Sequence, residues 1–198
     1  MEQKRLNVAI IGCGARGAES YGRIMLSRPE KFKICALCDV NTEKLEKYAK
    51  IFGAEETFAD ENEFFKKKRG DVLVIATLDG CHVAQCEKAL ALGYDVLLEK
   101  PITDSKEECE RLLAAHKKYG GKIVVCHVLR YAPAYIKLKE ILDGGSCGEL
   151  VMIDSIEQVS YWHQAHSFVR GYHSQKEKRL IIFSQKTADI QKQNVCKN

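Results

Sequence analysis

The sequence predicts a doubly wound α/β domain, a parallel sheet covered by helices on both faces. Three observations predict it. Apolar runs such as "NVAII", "VLVIA" and "DVLL" recur without polar alternation, the pattern of strands buried on both sides. Each run is followed by a stretch with helical spacing. The first run breaks into a glycine-rich turn that opens a helix. The 198 residues suit one full domain plus a fragment.

The elements follow in order. "RLNVAIIG" is a strand ending in glycine. "ARGAESYGRIMLS" is a helix with Ala18, Tyr21, Met25 and Leu26 on one side. "KFKICALCDV" is a second strand. Asn41 or Thr42 caps the helix "EKLEKYAKIFG", which Gly53 closes. "ENEFFKKKRG" gives a short helix and "DVLVIAT" a third strand. "GCHVAQCEKALALG" is a helix ending at Gly93, and "YDVLLEK" is a strand again. "SKEECERLLAAHKKYGG" is a helix with Cys109, Leu112, Leu113 and His116 at one-face spacing. "KIVVCHVL" is the next strand and "APAYIKLKEILDGG" the next helix. Residues 1–143 are thus expected to form the α/β domain.

The alternation then stops. "GELVMIDSIEQVSYWHQ" is β-rich with no helix after it, and is expected to be the first strand of a second domain over 144–171. The tail 172–198 is polar, rich in Lys and Gln, and too poor in apolar residues for a core. A lone strand is not stable by itself. It is expected to fold back, to pair with another copy of the chain as a homo-oligomer, or to stay exposed.

Composition narrows the function classes. The net charge of +4 is modest and its cations are scattered. The one basic run, Lys66-Lys67-Lys68-Arg69, closes a predicted helix and reads as a solvated helix end, not a nucleic-acid patch. No segment approaches the ~20 apolar residues of a membrane span. The charged start "MEQKRLNVAIIGCG" runs straight into a glycine turn, unlike a leader peptide. A cytoplasmic protein is expected. Nine cysteines, an odd number spread through core elements, read as small buried hydrophobes in a reducing compartment. Cys35 and Cys38 lie three apart on a strand, facing opposite sides, and no matching Cys or His pair completes a metal site.

The chemistry concentrates at strand ends. Gly12-x-Gly14-x-x-Gly17 follows a strand and opens a helix. Gly12 suits a tight turn, Gly14 lets a pyrophosphate approach the backbone, and Gly17 lets helix and strand pack closely. The helix start offers N–H groups to phosphates. About 20 residues further on, Asp39 ends the second strand, where its carboxylate can accept from both ribose hydroxyls. This is the Rossmann dinucleotide fingerprint. The charge of Asp39 would repel a 2′-phosphate, so NAD is expected rather than NADP, although Arg16 in the turn could pair with a phosphate. Ligands of such sheets lie beyond the carboxyl ends of the strands. Thr77 and His82, Glu99, Lys100 and Pro101, and Arg130 are therefore expected to meet the glycine turn in one crevice. A single histidine at a helix start is more often a cap or a packed imidazole than a catalyst; His82 is carried as a candidate cofactor contact. Lys100, a cation at the end of a buried strand, calls for a carboxylate or a substrate, and Glu99 and Lys100 are expected to form a polar pair.

These motifs, with "HVLRYAP" and "YWHQAHSFVRG", resemble the glucose-fructose oxidoreductase/inositol dehydrogenase family (Gfo/Idh/MocA) over about residues 5–171. The resemblance implies hydride transfer between a sugar or polyol carbon and a nicotinamide. It implies that Lys100 is catalytic and lies beside the nicotinamide and the reacting hydroxyl. It also implies that the Lys100–Pro101 bond is often cis and that Arg130 sits near the nicotinamide or substrate. His163, His166 and Arg170 match one branch of the family without assignable roles. The family's usual Thr-Pro pair is Thr77-Leu78 here. A larger departure is the absence of the family's big antiparallel sheet; "SQKTADIQ", with Lys186 and Asp189, does not resemble it. The sequence therefore reads as a C-terminally truncated NAD-dependent oxidoreductase of sugar-like substrates, inactive if the missing sheet is essential. The alternative is a non-catalytic dinucleotide-binding module.

Overall fold

The structure, a computed structural model, describes residues 4–156 and Tyr161. By its internal packing the chain divides into two units, Met1–Cys126 and His127–Asn198.

The first unit is built on six parallel strands in the order β3-β2-β1-β4-β5-β6. The strands are β1 (Leu6–Ile11), β2 (Phe32–Cys38), β3 (Glu56–Phe58), β4 (Val72–Ile75), β5 (Asp95–Leu98) and β6 (Ile123–Val125). Parallel neighbours need helical crossovers, and the helices alternate with the strands as expected. Helix α1 runs over Ala15–Gly22 and continues as Arg23–Leu26; α2 is Thr42–Phe52, α3 Glu61–Phe64, α4 His82–Ala91 and α5 Lys106–Tyr119. Two apolar clusters lie on the faces of the sheet. One joins Leu73, Ile75, Val96 and Leu98 to α4 and α5; the other joins Val8, Ile10 and Leu37 to α1 and α2.

Local chemistry sets the boundaries. The Asn41 side chain accepts from Lys44 N–H at 2.9 Å, capping α2, and Gly53 closes it at φ 65°. Ser105 caps α5 by accepting from Glu108 N–H.

Several expectations need correction. Strand β3 was not foreseen, because three residues carry no period; it exists by pairing, with Ala36 opposite Glu56 and Cys38 opposite Phe58. In α1, Ala18 and Met25 are buried but Leu26 is exposed. Its first part is wound wide, with Gly14 O accepting from Glu19 N–H five residues on, which shifts the phase of the later turns. In α5 the buried positions are Leu112 and Ala115, while Cys109, Leu113 and His116 are exposed. That helix covers the edge of the sheet against α4, so one narrow stripe suffices. Strand β6 stops at Val125. Among the described cysteines, Cys13, Cys38, Cys86 and Cys126 are buried, but Cys81, Cys109 and Cys147 are exposed. The basic run is not simply solvated: the Arg69 side chain is buried and pairs with Glu56, and Lys68 donates to Gly93 O.

The second unit contains a turn, Val128–Tyr131, and helix α6, Pro133–Asp143, with proline at its first position. Helix α6 was expected within the first domain. The described part of the expected strand, residues 149–156, forms no strand, and Val151 is 93% exposed. An apolar β-prone run becomes a strand only by pairing with another, and residues 149–156 pair with none of the described strands. His163, His166, Arg170 and the tail lie outside the described residues.

Candidate dinucleotide site at the carboxyl edge

Register brings the strand ends to one line. Ile11 lies opposite both Cys38 and Ile75, Ile75 opposite Leu98, and Leu98 opposite Val125. One further bond stitches each pair of neighbours. Gly12 N–H donates to Cys38 O at 2.8 Å, and Ala76, Glu99 and Cys126 N–H donate to Ile11, Ile75 and Leu98 O, each at 2.9 Å. The chain leaves β1 for β2 on one side, and β4 takes up the other. Gly12 therefore stands at the topological switch point, where such sheets hold ligands.

The three glycines of the turn have three different surroundings. Gly12 has φ +91°, and a side-chain carbon there would lie 2.4 Å from Ala76 O. At Gly17 such a carbon would lie 1.9 Å from Gly12 O. Both are filled by the fold itself. At Gly14 a side-chain carbon would meet nothing within 4 Å. Its bareness has no packing reason among the described residues and leaves a cradle of backbone at the start of α1.

Asp39 closes the other side of that cradle. Its Oδ2 accepts from Cys13 N–H at 2.7 Å and its Oδ1 from Asn41 N–H at 2.9 Å. The carboxylate thus fixes the glycine turn, and each oxygen keeps an acceptor direction for a diol. Burial first, then the Asp39 charge, pushes the Cys13 thiol up to about 12, so it stays protonated. Arg16 is exposed on the first turn of α1, and its charge reaches as far as Cys126.

At the end of β4, Thr77 belongs to a directed chain of hydrogen bonds. Lys88 Nζ and Gln85 Nε2 each donate to the Glu61 carboxylate at 2.7 Å. Glu61 only accepts, so the Gln85 carbonyl must face Thr77, whose hydroxyl donates to it at 2.6 Å. The Thr77 oxygen is left with only its acceptor directions. Burial pushes the Glu61 carboxyl up, but the hydrogen bonds from Lys88 and Gln85 outweigh it and hold it below 4.5.

His82, carried as a candidate cofactor contact, is a buried, packed imidazole. It is 0% exposed, with Nδ1 2.6 Å from Pro101 O and Nε2 3.3 Å from Thr77 O. The imidazole ties the turn after β5 to the turn after β4. The Lys100–Pro101 bond is cis, as the resemblance implied.

The expected Glu99–Lys100 side-chain pair is also corrected. Glu99 is 6% exposed. Its Oε1 accepts from Tyr21 Oη at 2.5 Å and its Oε2 from the backbone N–H of Lys100 at 3.0 Å. The Lys100 side chain is exposed, and no carboxylate within the described residues pairs with it. The buried group is therefore the glutamate, and the lysine is free to meet a ligand. Arg130 stands exposed on the turn Val128–Tyr131, in the second unit.

Tyr21, Gln85, Glu61 and Cys126 were not anticipated as site residues. Tyr21 follows Gly17 by one helical turn, a spacing that could have flagged it. The other three become neighbours only through the crossovers.

Residues 6–127 match the family described as "Oxidoreductase family, NAD-binding Rossmann fold" (GFO_IDH_MocA). The chain belongs to the Gfo/Idh/MocA oxidoreductase family. Among curated relatives, an oxidoreductase of Bacillus subtilis named YteT is 26% identical over 86% of this chain and 41% of its own length. An inositol 2-dehydrogenase/D-chiro-inositol 3-dehydrogenase of Shouchella clausii is 28% identical over 77% of this chain and 44% of its own. Among solved structures, scyllo-inositol dehydrogenase from Lactobacillus casei with bound NAD(H) and scyllo-inositol superposes with a TM-score of 0.65. It is 26% identical over 74% of this chain and 43% of its own. This chain spans less than half the length of those relatives. Among the described residues no helix is long and apolar enough to cross a membrane.

Proposed function

We propose that this Gfo/Idh/MocA chain binds NAD, in preference to NADP, in the crevice at the carboxyl edge, and that Lys100 serves hydride transfer on a sugar or polyol hydroxyl. The observation that carries the reading is the contrast among the glycines of the turn: Gly12 and Gly17 are bare because the fold fills their space, whereas Gly14 opens on space that no described residue uses. The residues present fit a dinucleotide. Backbone N–H groups from Gly14 to Gly17 and the Arg16 guanidinium would hold the pyrophosphate, and Asp39 would accept from the ribose hydroxyls. Thr77 would accept from a donor on the ligand. Arg130, by resemblance alone, would approach the nicotinamide or substrate.

When bound, the nicotinamide supplies the hydride acceptor or, in the reverse direction, the donor. Lys100 would hydrogen-bond the substrate oxygen whose proton leaves as the carbonyl forms. Its charge would stabilise the negative charge developing there, and Glu99, bonded to its backbone N–H, would keep it in place. The inositol dehydrogenases among the relatives make a cyclic polyol the first substrate class to try.

Calorimetric titration of the chain with NAD and NADP tests the cofactor part. NAD should bind about tenfold or more tightly than NADP, and Asp39→Ser should narrow that gap by weakening NAD. Equal affinities in the parent chain would contradict the assignment. A panel of polyols and sugars, followed by nicotinamide absorbance, tests the rest. Turnover abolished by Lys100→Met supports the full reading, and binding without turnover favours a dinucleotide-binding module instead.

A further inference from the structure

We propose that Tyr21 is a positioning residue for the Lys100 turn: its hydroxyl, carried on the helix that opens at the glycine turn, holds the buried Glu99 carboxylate, which in turn holds the Lys100 backbone. The catalytic part of this inference rests on the function proposed above; the positioning part does not.

The argument begins with Glu99. A carboxylate removed from water needs donors on its oxygens or a cation beside it. Glu99 is 6% exposed and pairs with no cation among the described residues. Its donors are the Tyr21 hydroxyl on Oε1 at 2.5 Å and the Lys100 N–H on Oε2 at 3.0 Å. One donor comes from α1, the other from the very residue proposed for catalysis. The carboxylate is the link between two elements that are 78 positions apart in sequence.

Tyr21 is suited to be the fixed member. Burial first, then the Cys126 thiol and the Glu99 carboxylate, raises its pKa, so it remains a donor across the physiological range. The Cys126 thiol, just past the end of β6, contributes to the same rise. Helix α1 and the β5 end thus meet at the Tyr21–Glu99 hydrogen bond. Its helix starts at Gly14, so the element that would receive the pyrophosphate is also the element that sets the lysine turn.

The test is residue-resolved amide exchange on the full chain with Tyr21→Phe, which keeps the ring and removes only the hydroxyl. Without its donor, Glu99 can leave its place, and the Lys100 N–H should lose protection by tenfold or more. The β5 amides of Val96, Leu98 and Glu99, bonded within the sheet, should change by less than threefold. A purely structural tyrosine would instead raise exchange across α1 and the sheet together, and that result, or an unchanged Lys100 amide, overturns the proposal. Glu99→Gln is the companion variant. A glutamine can accept from Lys100 N–H and donate to the tyrosine oxygen, so it should retain Lys100 protection within threefold alone and lose it when combined with Tyr21→Phe. If the single Glu99→Gln change loses protection as fully as Tyr21→Phe, the polarity argued here is wrong. Failure of the parent chain to bind NAD would sink the proposed function while leaving this exchange pattern as expected. Where turnover is measured, Tyr21→Phe should lower kcat by tenfold or more and leave the NAD Kd within threefold.

Discussion

Single residues at this site separate packing from ligand work, and the glycines make that separation measurable. Gly17→Ala would place a carbon 1.9 Å from Gly12 O. Overpacking of this kind costs about 1–3 kcal/mol, so urea denaturation should show a loss in that range or failure to fold. Gly14→Ala meets open space, and its backbone, φ −86° and ψ −161°, is one that alanine adopts. It should leave stability within about 1 kcal/mol while weakening NAD binding by about tenfold or more. A Gly14→Ala protein with normal affinity would mean that the cradle is not the phosphate site. The same distinction applies to charges. Lys100 looked in the sequence like a buried cation in need of a carboxylate. In the structure the lysine is exposed and Glu99 is the buried member, with Tyr21 supplying the donor.

At the scale of elements, the hydrogen-bond chain from Lys88 through Glu61 and Gln85 to Thr77 ties α3 and α4 to the end of β4. A carboxyl lowered in the folded state favours folding while it is ionised. The Glu61 contribution is therefore present above 4.5 and fades as pH falls through the lower folded value. Glu61→Gln should flatten the acid limb of the stability–pH curve below pH 4.5, relative to the parent, and an unaltered limb would contradict this. The elements also show what a sequence discloses. Five of the six strands were legible because each carries a continuous apolar run, as in "VLVIA". The glycine turn and Asp39 were legible because their spacing is local. Strand β3 was not, since "ETF" becomes a strand only by lying beside β2. Gln85 and Cys126 were hidden for the same reason: their partners Glu61 and Tyr21 are distant in sequence and become neighbours through crossovers. The exposed face of α5 was misjudged because periodicity says which residues share a side, not how much of that side another element covers.

For the whole molecule, the Rossmann unit buries its own core, whereas the described stretch after α6 leaves apolar side chains exposed. Val151, Met152 and Ile156 are exposed, and this stretch pairs with no described strand. Exposed apolar runs with strand propensity associate. Sedimentation velocity should show concentration-dependent self-association, reduced when Val151 and Ile156 are changed to Lys, and a clean monomer at high concentration would count against it. Dinucleotide binding should act at the same scale, raising the melting temperature with ligand concentration because only the folded crevice binds it.

The central claim is that NAD occupies the carboxyl edge between the glycine turn and the Lys100 turn. Amide chemical-shift mapping of the isotope-labelled chain during an NAD titration tests it most directly. The account predicts saturable shifts concentrated at Gly12 to Gly17, Asp39, Thr77 and Lys100. Asn7, Asp71 and Asp95, at the opposite edge, should remain still. Shifts centred on that opposite edge, or none at millimolar NAD, would contradict it.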